Sequence, residues 1–247
     1  VDACKAILAY LNTGEIRGAV NAGGIKLDLP ADEMPFADLA RRMGQILPAL
    51  CDTGYTTITL RVHGQRPQKL ATTLMRLATV ELLKANITES INVINVEHFA
   101  RSRGIELAQI AEAAPPAGLV GEVLELRVEL PGGETHRILG TVYQDRLPRV
   151  VRIDHFAMDM VPEGQMVLIE NSDQPGVIGM VGKTFGSAEV NIANMTISRG
   201  TAAGGDKVQL QLIKTDSAAP QSLIDALKAN PNIRRAKKLR LPELAKQ

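Results

Sequence analysis

MVLIENSDQPGVIGMVGKTFGSAEVNIANMTISR, residues 166–199, decides the fold of this chain. Met166–Glu170 is a short apolar run of strand length. Asn171-Ser172-Asp173-Gln174-Pro175-Gly176 then concentrates turn-forming residues. Val177, Ile178, Val181 and Phe185 recur at helical spacing, which predicts a helix beginning at the glycine and stopping near Gly186. Pro175 suits its first turn, where a missing N–H costs nothing. From Val190 to Arg199 the pattern becomes an alternation with Ala193, Met195 and Ile197 on one side of a pleat, so a second strand follows.

Working outward, Gly200–Gly205 reads as a flexible hairpin, and Lys207–Lys214 as a strand with Val208, Leu210 and Leu212 facing inward. Asp216 or Ser217 caps the next helix, Pro220 falls in its first turn, and Leu223, Ile224 and Leu227 form its buried face. Asn230-Pro231 breaks it, and Ile233–Leu241 is a last strand. The order is βαββαβ, the ferredoxin-like split βαβ plan.

The turn is chemically specific. N–H groups free at the helix start favour an anion such as a carboxylate, and Gly176 lets a ligand approach the backbone. Asp173 takes a cation such as an amine, and Asn171 and Asn191 offer donors and acceptors. Together these groups suit a small zwitterion. The competing reading has Asp173 capping the helix and the asparagines closing turns, which is the commoner job for such residues. Gly182-Lys183-Thr184 imitates the end of a phosphate-binding loop, but such a loop needs glycine at position 177, which is Val.

Upstream the pattern is mixed α/β. Residues 1–13 form an amphipathic helix ended by Gly14. Helices are expected from Asp32, burying Phe36, Leu39, Ala40, Met43, Ile46 and Leu47, over Leu70–Ala85, and after Val96. Strands are expected over Tyr55–His63, Leu119–Leu130, Thr135–Tyr143 and Arg149–Asp154. Pro131-Gly132-Gly133-Glu134 is a hairpin turn. Alternation along the last of these strands sends Arg149 and Arg152 to opposite faces. Val161-Pro162-Glu163-Gly164 is a hinge too short for free tumbling.

A net charge of +1 over 247 residues provides no field to recruit nucleic acid, and 3% aromatic residues without Trp supply no base-stacking platform. The basic run Arg234, Arg235, Lys237, Lys238, Arg240 therefore reads as an exposed edge strand. No apolar run approaches membrane-spanning length. Cys4 and Cys51 make no metal pattern and read as reduced, buried thiols, so the cytoplasm is the expected location. His63, His98, His136 and His155 are scattered, no nucleophile elbow is present, and no Gly-x-Gly-x-x-Gly follows a strand, so neither catalysis, nor a metal site, nor a nicotinamide site is expected in these residues.

The motif N-x-D-x-P-G-V-I-G-x-V-G followed by N-I-A-x-M-x-x-x-R resembles ACT domains, small-molecule sensors of amino-acid metabolism, and specifically the serine sensor at the carboxy terminus of D-3-phosphoglycerate dehydrogenases. The resemblance extends upstream through Asn92-Val93-Ile94-Asn95, Arg103-Gly104-Ile105, Gly140-Thr141-Val142-Tyr143 and Pro148–Asp154, which are similar to that family's allosteric substrate-binding domain, and through Gly14 and Ala19-Val20-Asn21, which fit the end of its catalytic part. It implies an α+β protein with the catalytic part ending over 1–16, a mixed α/β allosteric substrate-binding domain over 17–160, and a βαββαβ ACT domain over 165–243. It places L-serine at Asn171, Asp173, Pro175, Gly176, Val177, Asn191 and Ile192, and phosphate or 3-phosphoglycerate at Arg149, to which Arg152, close by in sequence, is joined as a second candidate. It implies a homo-oligomer joined through ACT domains, and a parent enzyme that uses NAD, with no cofactor in these residues. The amino-terminal subunit of iron–sulfur L-serine dehydratases carries a similar domain pairing, and a stand-alone amino-acid sensor is a third possibility.

Overall fold

A computed structural model describes residues 29–85, 89–143, 146–202 and 204–244. The expected helix over 1–13, and the motifs at Gly14 and Ala19–Asn21, lie outside these residues. The described residues form two sheets. The first has strands β1 (Thr57–His63), β2 (Glu106–Glu112), β3 (Val123–Glu129), β4 (Thr135–Val142), β5 (Pro148–Ile153) and β6 (Phe156–Met160), in the order β2-β1-β3-β4-β5-β6. Only β1 and β2 run parallel; the connection between them carries α2 (Gln65–Lys69), α3 (Ala71–Lys84) and α4 (Val96–Ser102), as a parallel crossover requires. α1 (Met34–Ile46) precedes them and buries Phe36, Leu39, Ala40, Met43 and Ile46. It crosses α3 at Gly44, where a Cβ would lie 3.1 Å from both the carbonyl carbon of Ala78 and Cβ of Glu81. Glycine is what allows the two backbones to approach so closely.

The second sheet contains β7 (Gly164–Ser172), β8 (Ile192–Thr201), β9 (Lys207–Thr215) and β10 (Ile233–Leu241), ordered β10-β7-β9-β8 and antiparallel throughout. With α5 (Val177–Ser187) and α6 (Gln221–Lys228) this is the split βαβ plan expected from the sequence. Val177, Val181, Phe185, Leu223, Ile224 and Leu227 of the helices pack on Val167, Ile169 and Ile213 of the sheet. Its opposite face, with Met166, Leu168, Val208, Leu210 and Leu212, joins one continuous core with Leu47, Leu50, Phe156 and Met160 of the first domain. β9 is consequently buried on both faces.

Several expectations are corrected. β2 and β6 were not legible, because each becomes a strand by pairing with its neighbour. The strand expected over Leu119–Leu130 starts only at Val123, after Gly121 at φ +80°. α5 runs past Gly186, and the left-handed residue that ends it is Glu189, at φ 55°. Ile178 is exposed rather than on the buried face of α5. Pro220, not Asp216 or Ser217, is the N-cap of α6; Asp216 instead accepts a hydrogen bond from Asn191.

The most informative correction concerns Arg149 and Arg152. Gly140 pairs with Val150, yet Leu139 pairs with Arg152, so Val151 is an extra residue, a β-bulge. Thr141 opposite Arg149 and Leu139 opposite Arg152 are two residues apart on β4. Both arginines therefore lie on the same face of the sheet. Arg149 is engaged there by Asp159 at 3.4 Å and by the Tyr143 ring.

The domains meet through ionic contacts as well as the shared core. Arg42, 3% exposed, donates to Pro162 O in the hinge and Pro242 O after β10, and pairs with Asp38. Arg235 of β10 donates to Leu50 O and pairs with Asp52. Glu163 accepts from Lys214 Nζ and Leu244 N; burial opposes its ionisation, but these bonds outweigh burial and hold its pKa below the ordinary value. Cys51 is buried and free, and burial pushes its thiol up to about 12.

His136 gives a pH signature. Burial works to lower its pKa, but the 2.8 Å bond to Asp154 and the nearby Glu134 carboxylate prevail, and the net shift is upward. A pKa raised in the folded state makes a stabilising contribution that is full below the unfolded value, about 6.5, and is lost as pH rises through the folded value. The stability difference between wild type and His136→Gln, followed by thermal unfolding, is expected to be largest near pH 6 and to shrink on the alkaline side. A difference that grows with pH refutes the assignment. Among the described residues, no helix is long and apolar enough to cross a membrane.

Candidate functional site

β7 ends at Ser172, and the chain turns through Asp173–Gly176 into α5. Gly176 is the N-cap with φ 88°, a left-handed conformation that favours glycine. Val177 N–H turns back to Gln174 O at 3.4 Å, while the N–H groups of Ile178 and Gly179, the next two of α5, have no intrahelical partners. Asp173, Gln174, Pro175, Gly176, Ile178, Arg199 and Gln209 line an open cavity of about 420 Å³ here.

Asp173 is not simply a cap, since no side chain caps α5. Its Oδ1 accepts from Gln209 Nε2 at 2.5 Å. Behind Gln209 lies a buried ladder of amides. Gln211 Nε2 donates to Asn171 Oδ1 at 2.8 Å, and Asn171 Nδ2 donates to Ser172 O at 2.7 Å and to Gln209 Oε1 at 3.4 Å. Asn171 and Gln211 are fully buried, and Gln209 is 3% exposed. The ladder follows from register: Arg199, Gln209 and Asn171 are successive cross-strand partners on β8, β9 and β7. Asp173 Oδ2 remains on the cavity side, with Arg199 Nε at 3.5 Å.

The structure thus brings Asp173, Pro175 and Gly176 to one cavity. Asn171 lies beneath it, and Val177 belongs to the core. Asn191 and Ile192 sit at the far end of β8, where Asn191 Nδ2 donates to Asp216 at 2.6 Å. Ile192 and Arg199 are seven positions apart on β8, about 23 Å at the rise of an extended strand. One small ligand does not touch both Asp173 and Asn191 of the same chain. Sequence reasoning missed Gln209, Arg199 and Ile178. Gln209 was hidden because alternate polar residues on β9 look solvent-facing; Ile178 was hidden because it fits the helical apolar spacing.

A mixed-sheet domain thus shares one core with a βαββαβ module that carries a pocket at the start of its first helix. Residues 33–154 match the family model described as the D-3-phosphoglycerate dehydrogenase intervening domain. The chain is 26% identical over 90% of its length to a D-3-phosphoglycerate dehydrogenase of Methanocaldococcus jannaschii, 29% identical over 86% to that of Archaeoglobus fulgidus, and 26% identical over 98% to that of Synechocystis sp.. It covers 41%, 39% and 43% of those proteins, so it spans about two fifths of the relatives it matches. Residues 33–154 therefore belong to that intervening-domain family, and the chain as a whole is similar to a regulatory part of D-3-phosphoglycerate dehydrogenases.

Proposed function

We propose that this domain pair senses L-serine and feeds back on an NAD-dependent dehydrogenase that oxidises 3-phosphoglycerate at the start of serine synthesis, in the cytoplasm. The observation that carries the reading is Asp173: a carboxylate with one oxygen fixed by a buried amide and the other turned toward a cavity at a glycine-capped helix start. The ammonium of serine pairs with Asp173, and its carboxylate sits at the N–H groups of α5. The dehydrogenase chemistry and its NAD belong to the part of such proteins outside the matched two fifths.

A homo-oligomer completes the site. β8 is an edge of its sheet, with Met195 half-buried and Ile197 exposed. Antiparallel pairing of two β8 edges centred on Met195, near the middle of the strand, would set Asn191 of the partner subunit opposite Arg199 and near the Asp173 turn. This resolves the distance between Asp173 and Asn191 within one chain. Effector binding at such an interface acts at a distance if one global state binds it better, and a coupling of about 1–3 kcal/mol makes a useful switch. Arg149 and Arg152, brought to one face by the bulge, are the proposed contacts for phosphate or 3-phosphoglycerate.

Calorimetric titration with L-serine, using glycine and D-serine as controls, tests the reading. Saturable binding of L-serine alone is expected. Asp173→Asn, which keeps the shape and removes the charge, should weaken it about 10- to 100-fold, the worth of a charge-assisted hydrogen bond. Asp173→Ala should do the same with the fold intact by circular dichroism. Undiminished binding in both variants refutes the site.

A further inference from the structure

We propose that Arg199 is a built-in occupant of the effector pocket: its guanidinium holds the cation position at Asp173 until the ammonium of a small amino acid displaces it. This deepens the serine-sensing reading and rests on it.

The two oxygens of Asp173 are held differently. Oδ1 is fixed by Gln209, which is itself held by buried Asn171, so the carboxylate has a set orientation. Oδ2 is met by Arg199 Nε at 3.5 Å. That is the oxygen an incoming ammonium needs. Ligand and arginine therefore compete for one acceptor. Arg199 suits a displaceable role, because its side chain is 77% exposed while that of Asp173 is 17% exposed. Among the described residues Asp173 is its one ionic partner, and no side-chain hydrogen bond holds it elsewhere. It stands on an edge strand directly opposite Gln209, and it lines the cavity. Release exposes a guanidinium that is already mostly in water, so the step requires little desolvation or rearrangement.

The consequence is a raised threshold. The free pocket already has its carboxylate neutralised, so ligand affinity is lowered by whatever the internal pair contributes. An exposed ion pair contributes little, about a two- to fivefold effect on the binding constant. A neutral ligand without an ammonium gains nothing from displacing Arg199, which favours amino acids over hydroxy acids of the same size.

Titrating L-serine into wild type, Arg199→Ala, Arg199→Gln and Arg199→Lys tests this. The Ala and Gln variants are expected to bind about two- to fivefold more tightly, and the Lys variant to stay near wild type because its charge still reaches Asp173. Equal or weaker binding in the Ala and Gln variants overturns the proposal and leaves serine sensing standing; weaker binding makes Arg199 a partner of the ligand carboxylate. Absence of L-serine binding by all four proteins overturns both readings. In the ligand-free protein, the Arg199 Nε–H resonance should move on Asp173→Asn. A resonance that stays fixed overturns the proposal independently of serine.

Discussion

Replacing Arg42 by alanine is expected to destabilise the protein by about 3 kcal/mol, lowering the melting temperature by roughly 6–12 °C for a chain of this size. Arg42 leaves α1 to serve acceptors on both sides of the seam: Pro162 O at 2.6 Å in the hinge and Pro242 O at 2.5 Å beyond β10, while Asp38 neutralises it at 2.7 Å. Truncation removes three charge-assisted hydrogen bonds and leaves two carbonyls and a carboxylate without their cation. An open cleft lined by Arg42, Pro242 and Leu244 lies beside these groups, so water can enter the space that truncation leaves, which keeps the loss near the lower end for a buried cation. Because Leu168, Leu210 and Leu212 share a core with Leu47 and Leu50, unfolding should remain a single calorimetric transition. Lysine at this position keeps the charge but lacks the planar fork, so an intermediate loss is expected. A shift of less than 2 °C for Arg42→Ala refutes the clamp.

Asn171→Ala should be comparably damaging, at about 3 kcal/mol by chemical denaturation, and should also abolish L-serine binding under the proposed function. Asn171 is fully buried and joins Gln211, Gln209 and the chain at Ser172. Its removal strands the Nε2 of Gln211 and the Oε1 of Gln209, each an unsatisfied buried group worth about 1–3 kcal/mol. Gln211 Oε1 is already buried without a partner, so the ladder has no spare bond with which to compensate. Gln209 then loses its anchor, and with it Asp173 loses its set orientation. If Asn171 instead acts only by touching the ligand, the alanine variant loses affinity but not stability. Denaturation and titration on the same variant separate the two roles. Replacing Gln209, Gln211 and Asn171 together by apolar residues should restore much of the stability without restoring binding, since stranded polar groups rather than missing bonds cause the loss.

The Asp173 turn was legible because its chemistry is local. Proline and glycine at a helix start, with an acidic residue just before them, define the same geometry in any surroundings. Asn171 looked equally exposed from its place in that turn, yet its side chain points under the helices. Its direction depends on the pleat of β7 and on which face α5 and α6 cover. Asn191 was read as a donor and acceptor for the ligand, but its distance along β8 from Arg199 needed the strand's length and register.

By itself the sequence determined the βαββαβ order of residues 164–241, the turn at Asp173–Gly176, and the helical and strand periodicities of the core, because these depend on spacing within short windows. Tertiary structure alone decided the strand identity of β2 and β6, the common face of Arg149 and Arg152, the burial of Gln209 and Gln211, and the meeting of Arg199 with Asp173. Each of these depends on a partner far along the chain: a neighbouring strand, a bulge set by the pairing register, or a second domain that covers a sheet face. Residue spacing does not encode which surface will lie against it.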